Sequence, residues 1–420
     1  MKWFYLLALL PIMACDTIRA LIVERYPTDY QPKGDHESIP TKTSAESGTA
    51  WPPGFPKMDG DDANRQQVKI DLAPVLTGLK QPTDFVFFPG SNTRGFALEK
   101  TGQLIAFDLE ASTLNTVIKL DVLTRSEQGL LGVALHPKFN ENGRFFLHAS
   151  VQRNDKEVGE VTSWIANPDR LSAQKEGLII SVIQPYANHN AGQMAFGPDG
   201  MLYIGFGDGG WRNDPHNHGQ NGRTILGSLI RINTDDPDPG KGYSIPPDNP
   251  WVNDDNVIDE AWAIGLRNPW KFCFTPDGKM VLADVGQNAF EEINIVGKGD
   301  NLGWNVREAT HCFPPESTCR KDDLVDPFFE YPHPMGSSVT GGFVHTSDAI
   351  PEIQGDYVFA DFVSGRIWAT PLPQPGDSEP TQVKALGQWP FLPSTFSHDN
   401  DGRLYVADFG KGTLYKIEPG

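Results

Sequence analysis

Asp199-Gly200-Met201-Leu202-Tyr203-Ile204 decides the fold, because five other segments have the same form of a tight turn followed by a short β-rich run. Asp-Gly and Asn-Gly favour tight turns, since glycine adopts a positive φ without a Cβ clash. Runs such as Leu-Tyr-Ile favour short, largely buried strands. The related segments occupy residues 101–107, 142–147, 277–284, 355–361 and 401–408.

Two of these segments are followed by a second β-rich run, at residues 365–368 and 412–417, which predicts the return strand of a hairpin. Six hairpin units, spaced irregularly by about 40 to 80 residues, predict an all-β, six-bladed β-propeller with long inter-strand inserts. The alternative is a set of unrelated hairpins in two sandwiches. The longest inserts, residues 208–259 and 296–351, are candidates for functional loops.

The composition excludes some classes of partner. The chain carries 35 basic and 54 acidic residues, a formal net charge of −19. Such an excess of negative charge argues against binding to nucleic acid or to an anionic membrane surface.

The first residues resemble an export signal. Lys2 precedes a short apolar run at residues 3–11, and Cys15 follows Ala14, as in the box of a bacterial lipoprotein. We therefore expect an exported periplasmic or cell-surface protein anchored by a lipid on Cys15, with plain secretion as the alternative. Residues 1–15 would be the signal, residues 16–66 a disordered tether rich in polar residues and proline, and residues 67–420 the propeller.

The other three cysteines have two predicted roles. Cys312 and Cys319 enclose a short loop, which in an exported protein favours a local disulfide; a metal-binding pair is the weaker alternative. Cys273 lies between two phenylalanines and is expected in a buried strand.

Two residues are candidates for catalysis. His189 lies just ahead of a predicted strand, where a titratable imidazole can act as a general base, although a lone histidine is more often structural. Arg267 precedes Asn268 in a segment rich in aromatic residues, and its guanidinium offers a fixed fork of donors for oxygen atoms. A surface arginine in a turn is the alternative.

Two segments are candidates for metal binding. Residues 284–292 mix carboxylates with glycine and asparagine, a composition that suits Ca²⁺ but equally a solvated acidic turn. His216 and His218 could suggest a transition metal, but no third ligand is in reach by spacing. The sequence contains no glycine-rich phosphate loop and no nucleophile elbow.

From about residue 70 to residue 417 the chain resembles the glucose/sorbosone dehydrogenase family, soluble quinoprotein sugar dehydrogenases on a six-bladed propeller that are related to the propeller of hedgehog-interacting proteins. The motifs occur in the order typical of that family. They are Gly-Leu-Leu-Gly-Val-Ala-Leu-His-Pro at 129–137, Asn-Gly-Arg-Phe at 142–145, the segment from His189, Gly-Gln-Asn at 219–221, Leu-Gly-Ser-Leu-Ile-Arg-Ile at 226–232, Gly-Leu-Arg-Asn-Pro at 265–269, Asn-Leu-Gly-Trp at 301–304 and residues 338–344.

The resemblance implies a function and a site. His189 would take the proton of the sugar C1 hydroxyl while hydride passes to pyrroloquinoline quinone, and Arg267 would polarise the quinone carbonyl. Glu127 and Asn268 would contact the cofactor. The carbonyl groups of Gly286 and Gln287 would bind Ca²⁺. The partners implied are a sugar and an external electron acceptor.

The chain departs from the family at the cofactor's carboxylates, which characterised members hold with one lysine and two arginines. The matching positions are Val363, Ser394 and Leu392. Arg366, foremost, and His398 or Lys411 are candidate replacements. Two other functions therefore stay open: a non-catalytic propeller that binds carbohydrate or protein, and a Ca²⁺-dependent lactonase.

Overall fold

The computed structural model describes residues 66–314, 318–373 and 382–420. Regular structure in these ranges is almost entirely β, with one short helix, α1 (Phe139–Asn142), and one 3-10 turn (Pro351–Ile353). The predicted signal and nearly all of the predicted tether, including Cys15, lie outside the described residues. No helix in the described part of the chain is long and apolar enough to cross a membrane.

Six four-stranded antiparallel sheets form the blades. Blade 1 contains β2 (Pro82–Phe87), β3 (Arg94–Glu99), β4 (Gln103–Asp108) and β5 (Thr113–Lys119). Blade 2 contains β6 (Leu130–Leu135), β7 (Arg144–Arg153), β8 (Lys156–Ala166) and β9 (Ala173–Ile183). Blade 3 contains β10 (Met194–Phe196), β11 (Leu202–Phe206), β12 (Ser228–Ile232) and β13 (Ala261–Ile264).

Blades 4 and 5 follow the same plan, and blade 4 carries an additional hairpin. Blade 4 contains β14 (Pro269–Phe274), β15 (Met280–Asp284), β16 (Phe290–Val296) and β19 (Phe329–Pro332), with the hairpin β17 (Arg307–Glu308) and β18 (His311–Cys312) inserted before its last strand. Blade 5 contains β20 (Val339–Val344), β21 (Tyr357–Asp361), β22 (Arg366–Thr370) and β23 (Lys384–Gln388).

Blade 6 closes the ring by combining both ends of the propeller. It contains β24 (Pro393–His398), β25 (Leu404–Asp408) and β26 (Thr413–Pro419), and its outer strand is β1 (Ile70–Leu76), which pairs antiparallel with β26. The sequence analysis did not predict this closure. The first strands of neighbouring blades contact one another in a closed ring around a central channel, so the predicted six-bladed propeller is confirmed.

The hydrophobic core is divided among the spaces between blades. Within the described residues, each neighbouring pair of blades encloses its own buried cluster. Phe96 and Phe145, for example, pack between blades 1 and 2 with ring centroids 5.2 Å apart. Burial of such side chains stabilises the packing of sheet on sheet by about 1.5–3 kcal/mol each.

One of the six sequence segments is not equivalent to the others. Five of them form or begin the second strand of a blade, whereas residues 101–107 form the third strand of blade 1, β4. The turn before β4 contains Gly102 with φ of 97°, so it has the same glycine chemistry as the turns before the second strands. The second strand of blade 1 is β3, which no Asp-Gly or Asn-Gly turn precedes.

A buried group of polar residues closes the channel, and we call it the Asp84 hub. Lys271 on β14 lies across the channel from Asp84 on β2, with Nζ and Oδ1 3.2 Å apart and both side chains 6% exposed. Asp84 also accepts hydrogen bonds from the backbone N–H of Val133 and the hydroxyl of Thr395. The hub therefore links blades 1, 2, 4 and 6.

Candidate functional site

A cavity of about 540 Å³ lies at the end of the channel where the first strands of the blades begin, and we call it the mouth cavity. Three of its wall residues, Thr83, Trp270 and Ser394, each precede a member of the Asp84 hub by one position, so the hub lies beneath the cavity. The other wall residues used below are Lys100, Ser126, Glu127, Asn188, His189, Arg212, Arg267, Asn268, Val285, Gly286, Gln287, Asn288 and Val363.

A buried histidine–carboxylate pair forms one part of the cavity wall. His189 lies in the connection from blade 2 to blade 3 with φ of 54°, and its Nδ1 is 2.7 Å from Oδ1 of Asp208. A carboxylate only accepts hydrogen bonds, so it keeps the imidazole proton on Nδ1 and leaves a lone pair on Nε2. The cavity wall thus contains a base of fixed tautomer.

The Asp208 carboxylate is itself held on both oxygens. Oδ1 also accepts the backbone N–H of Gly210 at 2.8 Å, and Oδ2 accepts Nε1–H of Trp304 at 2.8 Å. The ring of His218 contacts the carbonyl oxygen of Asp208 at 2.6 Å. The sequence analysis singled out the loop of Asp208 but not its pairing with His189, and it missed Trp304 as the residue that holds this carboxylate.

Arg267 and Asn268 lie in the connection from blade 3 to blade 4 and are fixed through their backbone. Their two amides donate to the carboxylate of Asp284 at 2.8 and 2.6 Å, and the amide of Asp208 donates to the Arg267 carbonyl. Burial raises the pKa of Asp284 to about 7, although these amides oppose the shift. The connection from blade 3 to blade 4 is therefore hydrogen-bonded directly to Asp208, the residue that orients His189.

One donor of the Arg267 guanidinium, its Nε–H, makes no hydrogen bond within the described residues. Its Nη1 donates to the carbonyl of Val285 at 2.9 Å, and its Cζ lies 5.5 Å from the centroid of the Trp304 ring. Its Nε is buried. A buried donor without a partner costs free energy, so the hydrogen bonds of the Arg267 guanidinium are incomplete within the described residues.

Glu127 and Asn268 form the neighbouring part of the wall. Oε2 of Glu127 accepts hydrogen bonds from the side chain of Asn268 at 3.1 Å and from the amide of Asn190 at 3.3 Å. The Asn268 side-chain oxygen accepts the amide of Ala191 at 3.1 Å. The structure thus brings His189, Arg267, Asn268 and Glu127 to one cavity.

Gly286 and Gln287 also line the mouth cavity, in the connection between β15 and β16. A Cβ on Gly286 would lie 1.6 Å from the carbonyl oxygen of Phe290, so this tight loop requires glycine. The Gln287 side chain exchanges two hydrogen bonds of 2.6 Å with Asn213. No group of three or more histidine, cysteine or acidic side chains suited to a metal occurs in the described part of the chain.

The candidate replacements for the missing basic residues lie outside the wall of the mouth cavity. Arg366 lies on β22, the third strand of its blade and therefore away from the channel, and it is absent from the cavity wall. His398 lies at the far end of β24 from the wall residue Ser394, and Lys411 is an exposed residue outside the wall. Val363 and Ser394 do line the cavity, as uncharged residues.

The cavity instead receives basic side chains that the sequence analysis missed. Lys100, in the turn between β3 and β4, and Arg212, in the insert after β11, both line the wall. Lys100 is 8% exposed and donates to the carbonyl of Ser126 at 2.6 Å; burial lowers its pKa, and Glu127 opposes that shift. Neither residue belongs to one of the family motifs, and Lys100, which comes from blade 1, reaches this wall only because the ring of blades is closed.

The three cysteines in the described part of the chain have the expected positions. Cys312 and Cys319 form a disulfide with Cα atoms 5.4 Å apart, and Cys273 is buried in β14 as a free thiol. The rings of His216 and His218 are stacked 5.3 Å apart, and no third metal-binding side chain joins them within the described residues.

These features define the class of protein: a six-bladed propeller with a small-molecule cavity at one mouth of a closed channel and a histidine–carboxylate pair on the cavity wall. The chain belongs to the Glucose / Sorbosone dehydrogenase family, whose profile matches residues 79–416.

Several curated proteins are similar to this chain in sequence. The chain is 30% identical over 391 residues to the HIPL2 protein of Arabidopsis thaliana, covering 76% of this chain and 56% of the relative. It is 27% identical over 267 residues to quinoprotein glucose dehydrogenase B of Acinetobacter calcoaceticus, covering 58% and 54%. Hedgehog-interacting proteins of mouse and human are also similar. The chain thus spans about half the length of these curated relatives.

Solved structures support the fold. The PQQ-bound aldose sugar dehydrogenase of Streptomyces coelicolor superposes with a TM-score of 0.66 at 18% sequence identity, covering 84% of this chain and 98% of that structure. At this level of identity the likeness shows a shared fold.

Proposed function

We propose that this chain is a quinoprotein aldose dehydrogenase, which oxidises the C1 hydroxyl of a sugar to the lactone with pyrroloquinoline quinone as hydride acceptor. The observation that carries the proposal is the buried His189–Asp208 pair on the wall of the mouth cavity. Family membership and the similarity to a quinoprotein glucose dehydrogenase support the class of substrate and cofactor.

The mouth cavity suits the cofactor in size and charge. Its volume of about 540 Å³ is in the range of small-molecule sites. Lys100, Arg212 and Arg267 face it, against one carboxylate, that of Glu127. The cofactor carries three carboxyl groups, so this excess of positive charge favours its binding.

The residues that would hold the groups follow from the wall. Arg267, Asn268 and Lys100 would bind oxygen atoms of the cofactor, and the carbonyl groups of Gly286 and Gln287 would bind Ca²⁺. Carbonyl oxygens are ordinary Ca²⁺ ligands, which explains how a calcium site can exist without a cluster of acidic side chains.

The proposed chemistry rests on the chain's own acid–base groups. His189 accepts the proton of the C1 hydroxyl at Nε2, and Asp208 stabilises the resulting imidazolium through Nδ1–H. Arg267 would supply positive charge to stabilise the negative charge that develops on the hydride acceptor. When bound, pyrroloquinoline quinone would be that acceptor. Turnover would also need an external electron acceptor for the two electrons taken from the sugar.

A second function is a propeller that binds carbohydrate or a protein partner without turnover. The uncharged residues Val363 and Ser394 on the cavity wall favour it, because the family's usual basic residues are missing there. The similarity to the HIPL2 and Hedgehog-interacting proteins also supports it.

Reconstitution distinguishes the two functions. Purified protein is mixed with pyrroloquinoline quinone and Ca²⁺, and cofactor binding is followed by absorbance before dye reduction is measured with a panel of aldoses. We expect a spectral change and turnover. His189→Ala should abolish turnover and keep cofactor binding, because the base is removed and the cation set remains. Absence of any spectral change in wild-type protein contradicts the dehydrogenase proposal.

We also propose export and lipid anchoring through Cys15, on the resemblance of the first fifteen residues to a lipoprotein signal. Cell fractionation tests this proposal. Wild-type chain should partition into detergent extracts of membranes, and Cys15→Ala should release it; equal partitioning of both contradicts the anchor.

A further inference from the structure

Five successive backbone amides beside the mouth cavity donate to two buried carboxylates. We call residues 286–290 the donor loop. The amide of Gly286 donates to Oε2 of Glu291 at 3.2 Å. The next four amides, those of residues 287–290, all donate to Oε1 of Glu308, at 2.7, 2.7, 2.9 and 3.3 Å. Oε1 of Glu308 therefore accepts hydrogen bonds from four of the five backbone N–H groups of this loop.

This arrangement determines where the carbonyl groups of the loop point. The peptide bonds of the loop are trans, so each C=O points opposite to the N–H of the next residue. The carbonyl groups of residues 286–289 are thus turned away from Glu308. The Ala289 oxygen accepts the amide of His333 at 2.8 Å, and ahead of the loop the Val285 oxygen accepts Nη1–H of Arg267. Between these two carbonyl groups lie residues 286–288, all three of which belong to the wall of the mouth cavity.

We infer that Glu308 is a positioning residue that turns the carbonyl groups of these three residues into an oxygen-donor edge for a divalent cation. The inference rests on the proposed function, since it assigns Glu308 to the Ca²⁺ site proposed there. A row of amides is an anion-binding nest, and here a side chain of the protein fills it. The Glu308 carboxylate, 6% exposed, thereby neutralises the positive side of the loop and leaves its negative side toward the cavity.

Glu308 belongs to an insert that supports both halves of the site. It lies on the β17–β18 hairpin, four residues after Trp304, which holds the Asp208 carboxylate. The ring of Phe313 packs on Trp304 at 4.9 Å, and the Cys312–Cys319 disulfide closes the insert. A change in this hairpin should therefore affect the loop through Glu308 and the base through Trp304, and a test must separate the two.

Glu308→Gln removes the charge and keeps the shape. A neutral acceptor forms hydrogen bonds about half as strong as a charged one. We expect amide exchange in residues 286–290 of the metal-free protein to become about tenfold faster or more. Ca²⁺ affinity, measured by calorimetry on the same metal-free protein, should fall by at least about tenfold because the carbonyl groups are no longer held in one direction.

Glu330→Gln is the matched control. Glu330 carries the same charge and contacts the same hairpin, through the amide and hydroxyl of Thr310 and the ring of His311, but does not bond to the donor loop. It should leave the exchange of residues 286–290 unchanged and alter Ca²⁺ affinity by less than about threefold, since exposed solvent screens distant charge. Glu308→Ala should exceed Glu308→Gln in both readouts.

The outcomes separate the inference from the proposed function. If wild-type protein does not bind Ca²⁺, the cation site of the proposed function fails, whatever the variants do. If Ca²⁺ binds and Glu308→Gln changes neither amide exchange nor affinity, the positioning role of Glu308 is wrong. If Glu308→Gln and Glu330→Gln lower affinity equally, the effect is general electrostatics and the inference is also overturned. Thermal unfolding of each variant verifies that the propeller remains folded.

Discussion

Asp208→Asn is the sharpest test of the proposed base. Both oxygens of Asp208 accept hydrogen bonds, Oδ1 from His189 and Gly210, and Oδ2 from Trp304. An amide has only one oxygen, so one of these N–H groups must face an NH₂ group. If the oxygen stays with His189, the bond to Trp304 is lost. In the opposite orientation His189 must accept at Nδ1, which moves its proton to Nε2 and removes the base.

The size of the effect follows from the lost charge. Nδ1 of His189 and Oδ1 of Asp208 are 2.7 Å apart. If the centres of the two charges are taken to be about 4 Å apart, their attraction is about 4 kcal/mol at an effective dielectric constant near 20. At 1.36 kcal/mol per factor of ten, kcat should fall by about 10³-fold. Asp208 is 1% exposed and is not a wall residue, so KM for the sugar should change by less than about threefold.

Dye-linked turnover of the cofactor-loaded protein measures both constants. Asp199→Asn is the control, because Asp199 lies in the turn between β10 and β11 of the same blade, bonds to Arg231 and Tyr203, and is not a residue of the cavity wall. It should keep wild-type kcat. If Asp208→Asn retains kcat within tenfold of wild type, the carboxylate does not stabilise the imidazolium and the reasoning is refuted. Wild-type protein without turnover on any aldose would count against the proposed function instead.

Three further predictions concern the hub, the cavity and pH. Asp84→Ala should lower the free energy of unfolding by about 3–5 kcal/mol, because it leaves the Lys271 charge buried and unpaired. The double variant Asp84→Ala/Lys271→Met should recover most of this free energy. Urea unfolding measures both variants, and no recovery in the double variant contradicts the pairing. Lys100→Met should weaken cofactor binding about 10- to 100-fold, from one charged hydrogen bond of about 1.5–3 kcal/mol, and unchanged affinity in equilibrium dialysis disproves its role. Burial raises the pKa of Asp284 to about 7 and that of Asp361 to about 6. The pKa values of these carboxyl groups in the unfolded chain are near 3.9, so the folded protein binds more protons than the unfolded chain between pH about 4 and 7. The free energy of unfolding should therefore fall as the pH rises through that window. Urea titrations that show the free energy of unfolding rising with pH contradict this prediction.

The fold was predictable because the propeller repeats local chemistry. Glycine turns such as those at Gly200 and Gly278, with φ of 77° and 85°, mark strand pairs wherever they occur. The closure by β1 was not predictable, since its pairing with β26 joins residues almost 350 positions apart and no turn records it. The position of residues 101–107 in the third strand of blade 1 was not predictable either, because a local turn identifies a hairpin but not which hairpin of the blade it belongs to.

The site was predictable only where a motif carried it. His189 and Arg267 lie in short segments typical of the family, and the ring of first strands brings them to one cavity. Lys100 and Glu308 belong to no such segment. Lys100 follows the end of β3 and faces the cavity because blade 1 is adjacent to blade 2 in the ring. Glu308 acts through backbone amides, which every residue except proline has, so no residue pattern marks its role. Long-range geometry therefore decides what the motifs leave out.

The wall of the mouth cavity carries an excess of positive charge, whereas the chain as a whole is negative. The distance of each charge from a bound ligand decides which of the two has the larger effect. The whole protein carries a formal charge of −19, which repels an anionic cofactor. At physiological ionic strength, charges separated by more than about 8 Å are largely screened. Lys100, Arg212 and Arg267 lie on the cavity wall, where a bound ligand would be in direct contact with them and partly out of water, so that screening is weak. We therefore expect the local excess of positive charge to govern affinity, so that the proposed cofactor, with its three carboxyl groups, would bind to an acidic protein without the lysine and arginines that the family usually supplies.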